Sequence, residues 1–217
     1  MLLFSVIAHE IAHGYAALKQ GDPTAYQLGR LTWNPVKHID PFLTIVLPLV
    51  MYLSTGAALG GAKPVPVNPR NYRNFKRGDL IVSLAGVATN LVIAIACVAL
   101  IAVFGAVARA APVTVSTIEI AQAVLVLGIL LNWNLIIFNL LPIPPLDGSH
   151  VIKYLLPPAW SMKYAEFGAR YGFFILIGFF LVGRRALGSL LAPAYFMSDL
   201  FIRSVQPFIL PNVSTWL

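Results

Sequence analysis

Charge is what this sequence has least of. Of its 217 residues, 15 are Lys or Arg and 8 are Asp or Glu, so 11% are charged, where soluble domains carry about 25%. A soluble globule of this size cannot cover its surface with so few charges. Cysteine is nearly absent too. The single thiol, Cys97, sits in an apolar run, which excludes an intrachain disulfide and any disulfide scaffold. The same lack of polar sequence excludes disorder, and no internal repeat is evident. Acid is scarcer than base, leaving a net charge of +7 and a pI near 9.8. No soluble basic domain exists to turn that excess toward nucleic acid. It reads instead as Lys and Arg collected in loops at the cytoplasmic face of a membrane.

What is present is apolar. Hydrophobic residues make up 59% of the chain and the mean hydropathy is +0.80, so the expected class is an all-α polytopic membrane protein. Residues 80–108 and 120–146 each exceed the roughly 20 residues that span a bilayer. Residues 1–18 are apolar apart from His9, Glu10 and His13, reach about 27 Å as a helix, and stop at Lys19, Gly21, Asp22 and Pro23. No cleavable signal peptide is expected, because that stretch carries the His/Glu group and lacks a basic leader. Residues 164–182 read as another span. From 186 to 217 the chain is apolar but broken by Pro193, Asp199, Arg203, Pro207 and Pro211, which fits a last span or an interfacial helix. The total is five to six transmembrane helices.

Two stretches do not read as helix. Residues 25–33 alternate weakly and end at Asn34-Pro35, as a short strand would. In residues 62–68, Pro64 and Pro66 forbid a helix and impose an extended chain. The loops 19–37 and 63–77 hold eight of the fifteen basic residues, so the positive-inside rule places both in the cytoplasm. That parity requires residues 41–62 to re-enter rather than cross.

The chemistry concentrates in two motifs. His9-Glu10-Ile11-Ala12-His13 is an H-E-x-x-H. On a helix the two histidines share one face, about 6 Å apart, so both imidazoles reach one metal ion. Glu10 lies one position round, where its carboxylate can take a proton from water at that ion. This composition predicts roughly 0.001 such matches by chance. Ionisable groups deep in a membrane cost several kcal/mol unless they are paired, and two imidazoles with a carboxylate satisfy a divalent cation. A catalytic zinc takes a third protein ligand. Asp147 is the candidate, since Pro142, Pro144 and Pro145 unwind the helix before it and free its carboxylate to swing inward. Asp199 is the other acid within apolar sequence. Asp147 also reads as the N-cap of the next helix, and the two roles are compatible.

HEIAH, then AGVATN, then NLLPIPPLDG, together with GRLTWNPVKHIDP and AKPVPVNPRN, resemble the site-2 protease family of intramembrane zinc metalloproteases, in its compact bacterial form without a PDZ domain. The resemblance covers nearly the whole chain. It implies that His9, His13 and Asp147 bind one zinc ion and that Glu10 is the general base. The family's G-x-x-x-N falls on Gly86 and Asn90, and its N-x-x-P-x-P-x-L-D-G starts at Asn139. One domain, 1–217, is expected, with a core at 1–156 and accessory helices at 157–217.

Other polar residues carry less. Asn90 reads as a helix–helix hydrogen bond or as site support. Asn139, near Asp147, is placed to hold substrate backbone or an oxyanion. His150 is expected to take no metal, and His38 reads as a solvated loop histidine. Trp33, Trp133 and Trp160 read as interface anchors or packing. The function implied is zinc-dependent cleavage in or near transmembrane segments of membrane proteins, by a multi-pass protein of the cell membrane whose site faces the cytoplasmic half of the bilayer. The alternative is a metal carrier or scaffold on the same fold. The intact Glu10 argues against it, because a carrier needs ligands but no base. Substrate would pair with a strand edge at 26–32, with the proline segment lining the entrance.

Overall fold

The computed structural model describes residues 1–55, 61–111, 115–182 and 184–214, and among them helix is the only regular structure. Helix α1 runs Leu2–Gln20. It ends because Gly21 takes a left-handed conformation (φ 110°), which lets the Asp22 and Gly21 amides return to Ala17 O and Leu18 O, the usual way to satisfy a helix's last carbonyls.

The expected strand at 25–33 is a correction. Thr24–Gln27 forms a single helical turn, α2. Asp22 accepts from Thr24 N and so starts the turn. Gly29 at φ 62° ends it, with Arg30 N donating to Ala25 O at 2.9 Å. The alternation that imitated a strand came from Tyr26 and Leu28, which are simply exposed.

Asn34 caps a tight turn, Pro35–His38. Asp40 then accepts from Phe42 N and Leu43 N to open a wide helical turn, Pro41–Val46, that runs into α3, Leu47–Thr55. The chain comes back to where it left. Gly61 N donates to Leu43 O, Lys63 N to His38 O, and Thr44 Oγ1 to Gly61 O. Both ends of the 41–62 stretch therefore sit together, while residues 56–60 lie outside the described residues.

Helix α4, Phe75–Ala110, starts on an Asn74 side-chain cap and at 36 residues is about 54 Å long. Helix α5, Val115–Leu140, stops short of the prolines. The expectation had carried that span on to residue 146. Helices α6 (Asp147–Leu155), α7 (Pro158–Val182), α8 (Arg184–Ser204) and α9 (Pro211–Ser214) follow. Among the described residues two helices, α4 and α5, are long and apolar enough to cross a membrane; the five to six spans expected are not reached on that test.

The core lies between α4 and α5, where Ala94, Cys97, Ile101, Ile129 and Trp133 are buried. Helix α8 packs Ala194 into it and sets Phe201 edge-on to Trp133. Asp199, the other deep acid by sequence, is exposed and paired with Arg203.

The two basic loops are stitched to each other at the end of α1. Asp22, fully buried, accepts from Asn68 N at 2.6 Å and Asn71 Nδ2 at 2.8 Å, and Arg73 N donates to Gln20 O. Burial alone would raise the Asp22 carboxyl. The donors of Asn68, Thr24 and Asn71 more than reverse this and hold it below the usual carboxylate range. His38 departs from expectation. It is buried, and its Nε2–H donates to Thr32 O at 2.8 Å, because its own loop folds back over it.

Candidate metal centre

His9 and His13 stand one turn apart on α1, and Asp147 is the first residue of α6. The N-cap of α6 is Leu146, without a side-chain bond, so the carboxylate of Asp147 is free of capping duty. The two Nε2 atoms are 2.9 Å apart. Asp147 Oδ2 lies 3.3 Å from His9 Nε2 and 3.5 Å from His13 Nε2. These three are the group of ligand-type side chains, among the described residues, that converges tightly enough for a metal.

The surroundings decide what the three atoms can do. His13 Nδ1–H donates to Val82 O at 2.7 Å, which leaves a lone pair on Nε2. Asn90 of α4, fully buried, sits 3.2 Å from His9 Nδ1. Its Oδ1 lacks a partner. Turning the amide over sets Oδ1 to accept from His9 Nδ1–H, satisfies the orphan oxygen and frees His9 Nε2 as a second lone pair. Asp147 Oδ2 is also buried without a hydrogen-bond donor. Two imidazole lone pairs and a carboxylate oxygen meeting in the protein interior repel one another unless a cation or proton lies between them. That donor set fits a divalent metal such as zinc.

Gly86 makes the approach possible. A Cβ there would fall 2.4 Å from His9 Cε1 and 2.6 Å from His13 Nε2, inside the imidazoles' own space. Residues 62–68 are extended, as their prolines require, and cross beside α1. Val65 N donates to Glu10 Oε2 at 2.7 Å. With Pro64 and Pro66 on either side, Val65 has the one backbone N–H between Lys63 and Val67. Arg30 fastens the same segment, its Nη2 donating to Lys63 O at 2.9 Å and Pro64 O at 3.3 Å.

Asn139 donates from its Nδ2 one turn back to Leu135 O, and Asn90 is the amide that reaches His9. His150 turns to Asp79. Arg30 and Asp79 were missed. The signal for Asp79 was an acid five residues into an apolar helix.

A model of peptidase family M50 matches residues 1–179. The chain belongs to peptidase family M50. Curated relatives agree. It is 38% identical over 180 residues to a Bacillus subtilis protein named "Putative zinc metalloprotease YwhC", covering 83% of this chain and 78% of the relative. It is 31% identical over 179 residues to Rip2 of Mycolicibacterium smegmatis, named in the same way, covering 81% of this chain and 62% of the relative. No solved structure matches it. As an M50 peptidase the chain is a metalloprotease of the site-2 protease family, and both the HEIAH segment and Asp147 fall inside the matched region.

Proposed function

We propose that this M50 peptidase is a multi-pass membrane enzyme that hydrolyses peptide bonds in or near transmembrane segments of other membrane proteins, with one zinc ion held by His9, His13 and Asp147. The observation that carries the reading is the orphan carboxylate oxygen of Asp147 facing two imidazole nitrogens, beside a glutamate on the same helix. Zinc, when bound, supplies Lewis acidity that polarises the scissile carbonyl and acidifies water.

The chain's own residues do the rest. Glu10 accepts the proton of the attacking water and passes it to the leaving amine, a contribution of about 10²–10⁴ in rate. The Val65 amide holds Glu10 Oε2, which leaves Oε1 as the basic oxygen. Val82 and Asn90 fix the two imidazoles in orientation. A substrate helix must unwind before a peptide bond becomes accessible, and its freed amides and carbonyls then need partners away from bulk water. The 62–68 backbone is the candidate partner for the freed amides, through its carbonyls at residues 65–67, since its Lys63, Val65 and Asn68 amides are already given to His38 O, Glu10 Oε2 and the Asp22 carboxylate. The stitched basic loops lie at the Lys19 end of α1, which supports a site in the cytoplasmic half of the bilayer.

The test is the full chain reconstituted in vesicles with a model single-span substrate. The wild-type chain should contain zinc and cut. Glu10→Gln should retain zinc and lose at least a hundredfold in cleavage rate, because the amide keeps the shape but accepts no proton. A Glu10→Gln chain that cuts at the wild-type rate overturns the reading.

A further inference from the structure

Helix α6 has little to hold it in place. It has nine residues, of which only Gly148 and Ser149 are buried, and isolated helices of that length are marginal. Its first turn is seated on the end of α5, where a Cβ on Gly148 would lie 2.2 Å from Leu140 O. Its polar fastening to α4 runs through one side chain. Asp79 is buried, and three groups from one face of α6 converge on it. Lys153 Nζ lies 2.5 Å from Oδ2, Tyr154 OH donates to Oδ2 at 2.9 Å, and His150 Nδ1 is 3.2 Å from Oδ1. Lys76 closes the cluster from α4, its Nζ 5.5 Å from the Tyr154 ring.

We infer that Asp79 is a positioning residue for the metal ligand Asp147, acting through α6. Asp79 stands three residues before Val82, so it lies one turn along α4 from the carbonyl that holds His13. A single turn of α4 thereby orients one ligand directly, by the Val82 carbonyl, and a second through the helix that carries it. A buried carboxylate with a full set of donors is rigid, and stripping it of a partner leaves an uncompensated charge. The His150–Lys153–Tyr154 face therefore has one seat, which fixes where Asp147 points at the other end of the helix.

The inference rests on the zinc reading above, and its test uses the full chain with zinc alone as probe, in competition with a chelator. Asp79→Asn keeps the shape and removes the charge; it should weaken zinc binding about tenfold or more, the range seen for groups that orient ligands. Lys153→Met should weaken it in the same direction by less. Ile129→Ala is the control. It opens a cavity in the α4–α5 core and lowers thermal stability, and should leave zinc affinity within about twofold. Asp79→Asn binding zinc like the wild type overturns the inference, as does an equal loss in Ile129→Ala. Should Asp79→Asn fail to fold, wild-type zinc affinity in Lys153→Met has the same meaning. A wild-type chain that binds no zinc overturns the metal reading itself.

Discussion

At the scale of single residues, the centre depends on an absence of atoms as much as on ligands. Gly86 is the clearest case. Within a helix, Gly→Ala ordinarily stabilises by about 1 kcal/mol, so Gly86→Ala should fold at least as firmly by propensity alone. Its new methyl would instead meet the His9 and His13 imidazoles below 3 Å. The expected outcome is loss of bound zinc and of cleavage with helix content unchanged, read by metal analysis alongside circular dichroism. Full zinc occupancy in that variant would mean the histidines have another way to sit. The grouping of His9, His13 and Asp147 was legible in the sequence, since the two histidines are spaced for one helix face and Asp147 follows an enforced unwinding. His38 was not legible. Its neighbours Lys37 and Asp40 gave it a solvated look, and only the folding back of the loop onto it turns its ring to Thr32 O.

At the scale of elements, local chemistry overrode pattern. The weak alternation of residues 25–33 suggested a strand, but Asp22 and Gly29 close a helical turn there, and no partner strand exists among the described residues to reward extension. The proline segment was legible because proline leaves no choice of conformation. Asp22 links these elements, and its ionisation sets a pH dependence. Its carboxyl titrates lower in the fold than in the unfolded chain. The stabilisation is therefore complete above about pH 4 and is lost as pH falls through the folded-state value. Thermal stability of the full chain in detergent should fall on that acid limb, and Asp22→Asn should be less stable at neutral pH with a flatter limb. An unchanged limb in Asp22→Asn would assign the acid sensitivity to another carboxylate.

At the scale of the whole molecule, composition carried the class and the two long helices carried the frame. The number of crossings was less legible, because α1 and α7 mix polar groups into apolar runs and the return of the 41–62 stretch to its starting point rests on contacts between distant residues. Those contacts make a topology prediction. Lys37 and Arg73 are both exposed and lie in loops tied together through Asp22 and Lys63. Cysteines placed at either position, in a Cys97→Ser background, should react with an impermeant reagent from the same side of sealed vesicles. Reaction from opposite sides would require residues 41–62 to cross. The proline segment also bears on the enzyme's survival. An extended segment fastened to Glu10 is a peptide held permanently against the site of a peptidase, and it survives there if its own bonds are poor substrates. The Lys63–Pro64 and Val65–Pro66 bonds end on ring nitrogens with fixed φ, which resist the distortion that cleavage demands. Replacing Pro64 and Pro66 together by Ala should convert this segment into a target, with an internal cut near residue 65 visible by mass spectrometry in active chain and missing when Glu10 is also Gln.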